Sequence, residues 1–150
     1  ISDLKGDPDD LQVVFDARPD VLNHNVETVP RLQRAVRPSA GYARSLGVLS
    51  RSKLAGLVTK TSIILGMGET REEVLATLED LAAIGVDIVT LGQYLRPTTN
   101  HVPIDRWWHP NEFSELKRIG EALGISHIEA SPLTRSSYHA REAQAAVDGT

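Results

Sequence analysis

The sequence predicts an α/β fold built on a parallel sheet, and three observations carry that expectation. Residues 57–85 read LVTKTSIILGMGETREEVLATLEDLAAIG: a β-branched apolar run, a glycine-punctuated turn and an amphipathic helix. Val58, Ile63, Ile64 and Leu65 form a nearly continuous apolar run, which suits a strand buried on both faces of a parallel sheet. Further apolar runs at 86–91 and 125–130 alternate with segments of helical period. In such folds ligands gather where loops leave the C-terminal ends of the strands.

In chain order, Ile1-Ser2-Asp3 opens without an initiator methionine, as expected of a strand cut through, and the chain reads as a fragment. Asp7 before Pro8 is a helix cap with a first-turn proline, and Leu11, Val14 and Phe15 give that helix its buried face. A short strand is expected at 20–24. Pro30 and Pro38 bracket a short helix, and Ser39 is expected to cap another, striped by Tyr42, Leu46 and Leu49. Arg44 and Arg51 on that helix are expected to be solvated. Thr70 and Glu73 make a capping box; Val74, Leu75, Leu78, Leu81 and Ala82 share one face, and Gly85 ends the helix. A third strand at 86–91 ends on Gly92-Gln93-Tyr94. The long 94–109 segment, with both tryptophans, reads as a lid or partner surface. Pro110 starts a helix with Phe113, Leu116, Ile119 and Leu123 apolar, Gly124 stops it, and a last strand is expected at 125–130. The Ala- and Gln-rich residues 141–150 read as a frayed tail.

Composition narrows the function. At 150 residues the chain is one domain's worth or part of a larger barrel, and its net charge of −4 with no basic stripe argues against a nucleic-acid partner. No apolar run approaches a membrane span and no signal peptide is evident, so a cytoplasmic protein without a membrane partner is expected. With no cysteine, the chain has no disulfide, thiolate nucleophile or cysteine-ligated metal centre of its own. The five histidines lack metal-site spacing.

Two clusters stand where strands should emerge. Asn23-His24-Asn25-Val26-Glu27-Thr28 offers amides, an imidazole and a carboxylate to a small polar ligand, or is simply a capped βα turn. Gly66-Met67-Gly68 allows close backbone approach. It lacks a third glycine, however, and Glu69 is better matched to hydroxyls or an ammonium group than to a pyrophosphate. Lys60, inside a strand run, must point toward a carboxylate, a ligand or the sheet end.

The ordered set of segments resembles the C-terminal half of the lipoyl synthase family of radical S-adenosylmethionine (SAM) enzymes. It comprises Asp3-Leu4-Lys5-Gly6, Asn23 through Val29, Tyr42-Ala43-Arg44-Ser45-Leu46, Thr59-Lys60-Thr61-Ser62, Leu65-Gly66-Met67-Gly68-Glu69-Thr70, Leu91 through Pro97, and Arg135-Ser136-Ser137-Tyr138. The resemblance covers residues 1–140. It implies the C-terminal half of a partial (β/α)6 TIM-like barrel plus an Arg-Ser-Ser-Tyr tail. It further implies two [4Fe–4S] clusters with SAM, and a sulfurtransferase activity inserting two sulfurs at C6 and C8 of a protein-bound octanoyl-lysine in lipoate biosynthesis. In that family one cluster reduces SAM to a hydrogen-abstracting radical and the other is consumed as sulfur source. The partner implied is an octanoylated lipoyl-carrier protein, a lipoyl domain or glycine-cleavage H protein.

Carried over by position, Ser137 matches the family's oxygen ligand to the auxiliary cluster. An alkoxide-like oxygen holds iron less firmly than a thiolate, so it suits a ligand that must let go. Asn25, Glu27, Arg44 and Lys60 match positions in or near the SAM pocket, and the run Ser62-x-Ile64-x-Gly66-x-x-Glu69 resembles the adenine-contacting strand, with serine for its first glycine. Tyr94, His101, Trp107 and Arg135 border the substrate channel in the same comparison. No general acid or base is implied.

Both cysteine motifs of the family precede the segment matched here. The chain is therefore expected to need a cysteine-bearing N-terminal half and to be inactive alone. A different class of reading is a cysteine-free, non-catalytic paralogue that binds lipoyl-carrier domains or a partner half-barrel, and a generic small-ligand α/β module is a third. As half a barrel the isolated chain would expose unpaired strand edges and is expected to aggregate or melt without cooperativity.

Overall fold

Four parallel strands lie in the order of the chain, β1 (Val21–Asn23), β2 (Val58–Leu65), β3 (Ile88–Gln93) and β4 (His127–Ala130), in a computed structural model describing residues 1–137. The helices are α1 (Pro8–Asp16), α2 (Gln33–Val36), α3 (Tyr42–Leu54), α4 (Arg71–Ala83) and α5 (Pro110–Ala122), with single 3-10 turns at Leu4–Gly6 and Pro30–Leu32.

The register sorts the side chains of β2, β3 and β4 into two faces. Thr61 pairs with Val89, which pairs with Ile128, and Ile63 with Leu91, which pairs with Ala130; Lys60 pairs with Ile88, which pairs with His127, and Ser62 with Thr90, which pairs with Glu129. Successive residues point to opposite faces. The face with Ile63, Leu65, Val89, Leu91 and Ile128 packs against Leu49 of α3, Val74, Leu78 and Leu81 of α4, and Phe113 and Leu116 of α5. A second cluster joins Leu22 to Leu11, Phe15, Val48 and Leu57. The opposite face carries Asn23, Lys60, Ser62, Thr90 and Glu129. Sequentially ordered parallel strands with the helices packed on one face are compatible with an arc of a TIM-like barrel. An arc of that kind leaves its polar face turned inward.

Local chemistry sets the boundaries. Asp7 accepts from the amides of Asp9 and Asp10 at the start of α1, and Thr70 and Glu73 exchange both bonds of the capping box on α4. At α5 His109 takes the capping position, with Glu112 reaching back to the His109 amide. Gly85 and Gly124 follow α4 and α5 with φ of +77° and +107°.

Several expectations need correction. Gly41, not Ser39, is the N-cap of α3, and no side chain caps it. Gly92 and Gln93 continue β3 instead of ending it, because their backbones pair with Ile64 and Leu65. Leu123 is the C-cap of α5 and 40% exposed, since the chain turns there before it can face the core. Arg44 and Arg51 are exposed, as expected, but they are also tethered: Arg44 pairs with Asp3 at 3.1 Å and Arg51 donates to the Gly6 carbonyl at 2.9 Å, which binds the first turn to α3. Tyr138 and residues 139–150, including the expected frayed tail, lie outside the described residues. No helix among the described residues is long and apolar enough to cross a membrane.

Candidate functional site

The polar cluster after β1 is a strained loop held from several sides. The His24 amide continues the ladder to the Lys60 carbonyl at 3.0 Å; the chain then bulges and rejoins β2, where Glu27 donates to the Ser62 carbonyl at 2.9 Å and its carbonyl accepts from Ile64 at 2.8 Å. Glu27 has φ +64°, a left-handed conformation uncommon for a residue with a Cβ. The Thr28 amide donates to the Val26 carbonyl at 2.8 Å, closing a three-residue turn centred on Glu27. Val26 is anchored by its amide to the Thr61 hydroxyl at 3.1 Å.

Beneath the loop a directed network fixes a tautomer. Arg37 can only donate, and its Nη1 lies 2.9 Å from the Val26 carbonyl and 3.3 Å from the Ser45 hydroxyl. The Ser45 proton is then directed at His24 Nε2, 2.9 Å away, leaving Nδ1–H to donate to the Ile1 carbonyl at 3.2 Å. Burial, with the Arg37 charge adding to it, pushes the His24 pKa below its usual 6.5. A group with a depressed basic pKa is neutral in both states above 6.5. As pH falls through that value the unfolded chain takes up the proton first, so stability drops until the folded His24 also protonates. Pulse proteolysis at pH 7.5 and 5.5 should show acid lability of residues 23–29 that His24→Gln largely removes.

Asn25 and Glu27 lie on the shared wall of two grooves. One, of about 280 Å³, is lined by Asn25, Glu27, Ser62, Ile64, Gly92 and Tyr94, and closed by Thr134, Arg135 and Ser136. The other, of about 270 Å³, runs past Asn23, His24 and Arg37. The Asn25 amide nitrogen donates to Glu27 Oε1 at 3.0 Å, which presents the carboxylate to the cavity. Asn25 Oδ1 is buried without a hydrogen-bond partner among the described residues. A native protein rarely leaves such an acceptor unmet, so it suits a ligand hydroxyl or ammonium.

The glycine turn after β2 is fastened by Glu69. Its carboxylate, 4% exposed, accepts from the amides of Gly66 and Met67 and from the Trp108 indole N–H at 2.8 Å. Glu69 therefore holds the turn instead of offering free oxygens to a ligand, a correction to the expectation that it faces hydroxyls or an ammonium. Gly66 has φ +113°, and a Cβ there would come within 2.7 Å of the Arg106 carbonyl and overlap the Gln93 amide. Gln93, absent from the expected site, closes the arrangement. Its nitrogen donates to the carbonyls of Tyr94 and Arg106 and its oxygen accepts from the Trp108 amide at 3.0 Å. Both ends of the 94–109 loop are thus pinned, and Arg106 stacks 3.8 Å from the Trp108 ring centre while pairing with Glu112. This loop base is a fixed rim, not a hinge.

The arm after β4 crosses the sheet end. Ser131 donates to the Leu91 carbonyl and Gln93 to the Pro132 carbonyl, both at 3.2 Å. Arg135 donates to the Thr134 carbonyl at 2.6 Å and lines the 280 Å³ groove with Ser136. Ser137, the last described residue, is exposed beside it.

The remaining expected residues scatter. Arg44 is held by Asp3 and lines neither groove. Lys60 is buried in β2, its pKa lowered by burial and partly restored by the charge of Glu129. Ile64 and Tyr94 line the larger groove, whereas His101 bonds to Thr98 within the exposed loop and Trp107 is 64% exposed. Among the described residues no group of three His, Cys, Asp or Glu side chains is placed to hold a metal ion.

No family model matches the chain. Curated lipoyl synthases do, among them three from different bacteria. That of Rubrobacter xylanophilus is 54% identical over 142 residues, covering 93% of this chain and 44% of the relative. The Nocardia farcinica protein is 54% identical over 140 residues, covering 93% of this chain and 40% of its own. The Halalkalibacterium halodurans protein is 51% identical over 143 residues, with 94% and 47% covered. The chain thus spans less than half the length of these relatives, and along nearly all of its own length it is similar to lipoyl synthases, to the extent a C-terminal half would be.

Proposed function

We propose that this chain is the C-terminal half of a lipoyl synthase barrel and contributes the SAM-facing sheet edge and the auxiliary-cluster arm to an enzyme that sulfurates a protein-bound octanoyl group in the cytoplasm. The observation that carries the reading is the match along 93% of the chain at about half identity. The partner segment is the cysteine-bearing N-terminal half, and the substrate is an octanoylated lipoyl-carrier protein.

The residues present fit SAM, because Asn25, whose Oδ1 lacks a partner among the described residues, and Glu27 both line one cavity at the ends of β1 and β2. When bound, SAM supplies hydrogen-abstracting power to an otherwise inert alkyl chain. The chain's own work is positional. Asn25 and Glu27 accept hydrogen bonds from ligand hydroxyl or amine groups, while Ser62, Ile64 and Gly92 line the cavity along the sheet end. Tyr94, Leu95 and Pro97 of the 94–109 loop and Thr134, Arg135 and Ser136 of the arm line the same cavity. The described residues do not by themselves fit an iron–sulfur cluster, since a lone serine oxygen cannot hold one; the thiolates would have to come from the cysteine-bearing half.

Anaerobic reconstitution of this chain with the cysteine-bearing half is expected to restore two [4Fe–4S] clusters, and Ser137→Ala is expected to impair sulfur insertion. Unchanged insertion in Ser137→Ala would remove the assignment of that residue. Failure to assemble any cluster would favour the non-catalytic module that binds carrier domains, which the absence of cysteine also suits.

A further inference from the structure

The strain at Glu27 raises the question of what holds it there. Left-handed backbone at a residue with a Cβ persists only when its surroundings overdetermine it. The carbonyls of the residues on either side of Glu27 are both gripped by one side chain: Gln33, 5% exposed at the start of α2, donates from its Nε2 to the Val26 carbonyl at 2.8 Å and to the Thr28 carbonyl at 2.7 Å. Arg37, one turn later, donates to the same Val26 carbonyl and to Gln33 Oε1. In an ordinary extended strand, carbonyls two residues apart point the same way but are too widely spaced for one amide group to bridge. The turn at Glu27 brings them together.

We propose that Gln33 is a positioning residue of the cavity: its buried amide ties the carbonyls of Val26 and Thr28, holds Glu27 in its left-handed turn and so aims the Glu27 carboxylate at a hydroxyl-bearing ligand. The ligand side of this inference rests on the SAM reading above; the mechanical coupling of Gln33 to Glu27 does not. Gln33 touches no ligand-facing surface itself, since it lines neither groove. Its effect passes through the backbone of residues 26–28.

The test separates the two. Amide exchange of residues 24–30 is followed by mass spectrometry in the chain assembled with its cysteine-bearing half, for the parent and its variants Gln33→Ala, Glu27→Gly and the double variant. S-adenosylhomocysteine binding is titrated in the same proteins. Gln33→Ala should speed exchange of this segment at least about tenfold, because the strained turn loses its tie. Glu27→Gly alone should leave exchange unchanged or slower, because glycine adopts φ +64° without a Cβ penalty. In the double variant exchange should return most of the way to the parent level, whereas a Gln33 that merely stabilised α2 would leave the double variant as fast as Gln33→Ala. Ligand affinity should fall in all three and should not recover with the exchange. Unaltered exchange in Gln33→Ala, or no recovery in the double variant, overturns the inference. Absent ligand binding by the assembled parent, with the exchange pattern intact, counts against the SAM reading and leaves the coupling established.

Discussion

Glu69→Ala is expected to expose the Trp108 indole and loosen the whole C-terminal edge of the sheet. The carboxylate accepts from two backbone amides of the glycine turn and from the indole nitrogen, at distances of 3.0 Å for Met67 and 2.8 Å for Trp108. Alanine leaves three donors in a region from which water is excluded, and each stranded donor costs about 1–3 kcal/mol. A loss of about 3 kcal/mol or more is a large share of a domain's stability. Because the Gln93 oxygen holds the Trp108 amide and its nitrogen holds the Arg106 carbonyl, the damage should spread from the turn to the rim. Emission from Trp108, read in a Trp107→Phe background to remove the exposed neighbour, should shift toward that of a solvated indole without denaturant. Glu69→Gln keeps one acceptor oxygen but places an NH₂ group against at least one of the donors, so it should fall between parent and alanine. An alanine variant with buried emission and unchanged protease resistance would return Glu69 to the role of a ligand contact.

The fate of Glu69 shows where the sequence is legible and where it is not. The periodicity of 57–85 is enough to place β2, the turn and α4, because buried-strand and helical patterns are local properties of the chain. The capping box at Thr70 is readable for the same reason. The role of Glu69 is not, because its partner Trp108 lies 39 residues away and only folding brings the indole to it. Arg44 and Arg51 are solvated as read, but their partners are illegible for an equivalent reason, since the acceptors belong to the first turn of the chain. The Asn25–Glu27 cluster is recognisable from its residue types. Nothing in the types alone announces that Glu27 is left-handed or that Gln33 bridges its neighbours. Gln33 and Gln93 are both amides that donate and accept at once, which suits them to tie loop ends, and neither has a periodic or motif signature. The cysteine-free composition is legible at once, because it means that no thiolate ligand can come from this chain.

Gly92→Ala is expected to detach the arm that carries Arg135, Ser136 and Ser137 from the sheet. Gly92 sits in β3 opposite Ile64, with the arm crossing directly over it, and a Cβ at this position would overlap the Thr134 carbonyl oxygen and approach Arg135 Nη1 to 3.2 Å. That obstacle is backbone on one side and strand on the other, so neither can yield as a flexible side-chain tip would. The same arm is tied by the bonds from Ser131 to Leu91 and from Gln93 to Pro132, which must stretch if Thr134 rises. The expected result is protease cleavage within 131–137 at least about tenfold faster than in the parent, with exchange of the helix-facing strand residues little changed. Gly47→Ala is the matched control. It lies within α3, where an added methyl group would meet nothing within 4 Å, and alanine there should stabilise the helix by about 1 kcal/mol. In an enzyme reconstituted with its cysteine-bearing half, Gly92→Ala should impair sulfur insertion much as Ser137→Ala does, although it removes none of the proposed ligand atoms. Arm cleavage as slow as in the parent would mean that the close crossing at Gly92 does not seat the arm, and the serine would then have to be presented by other means.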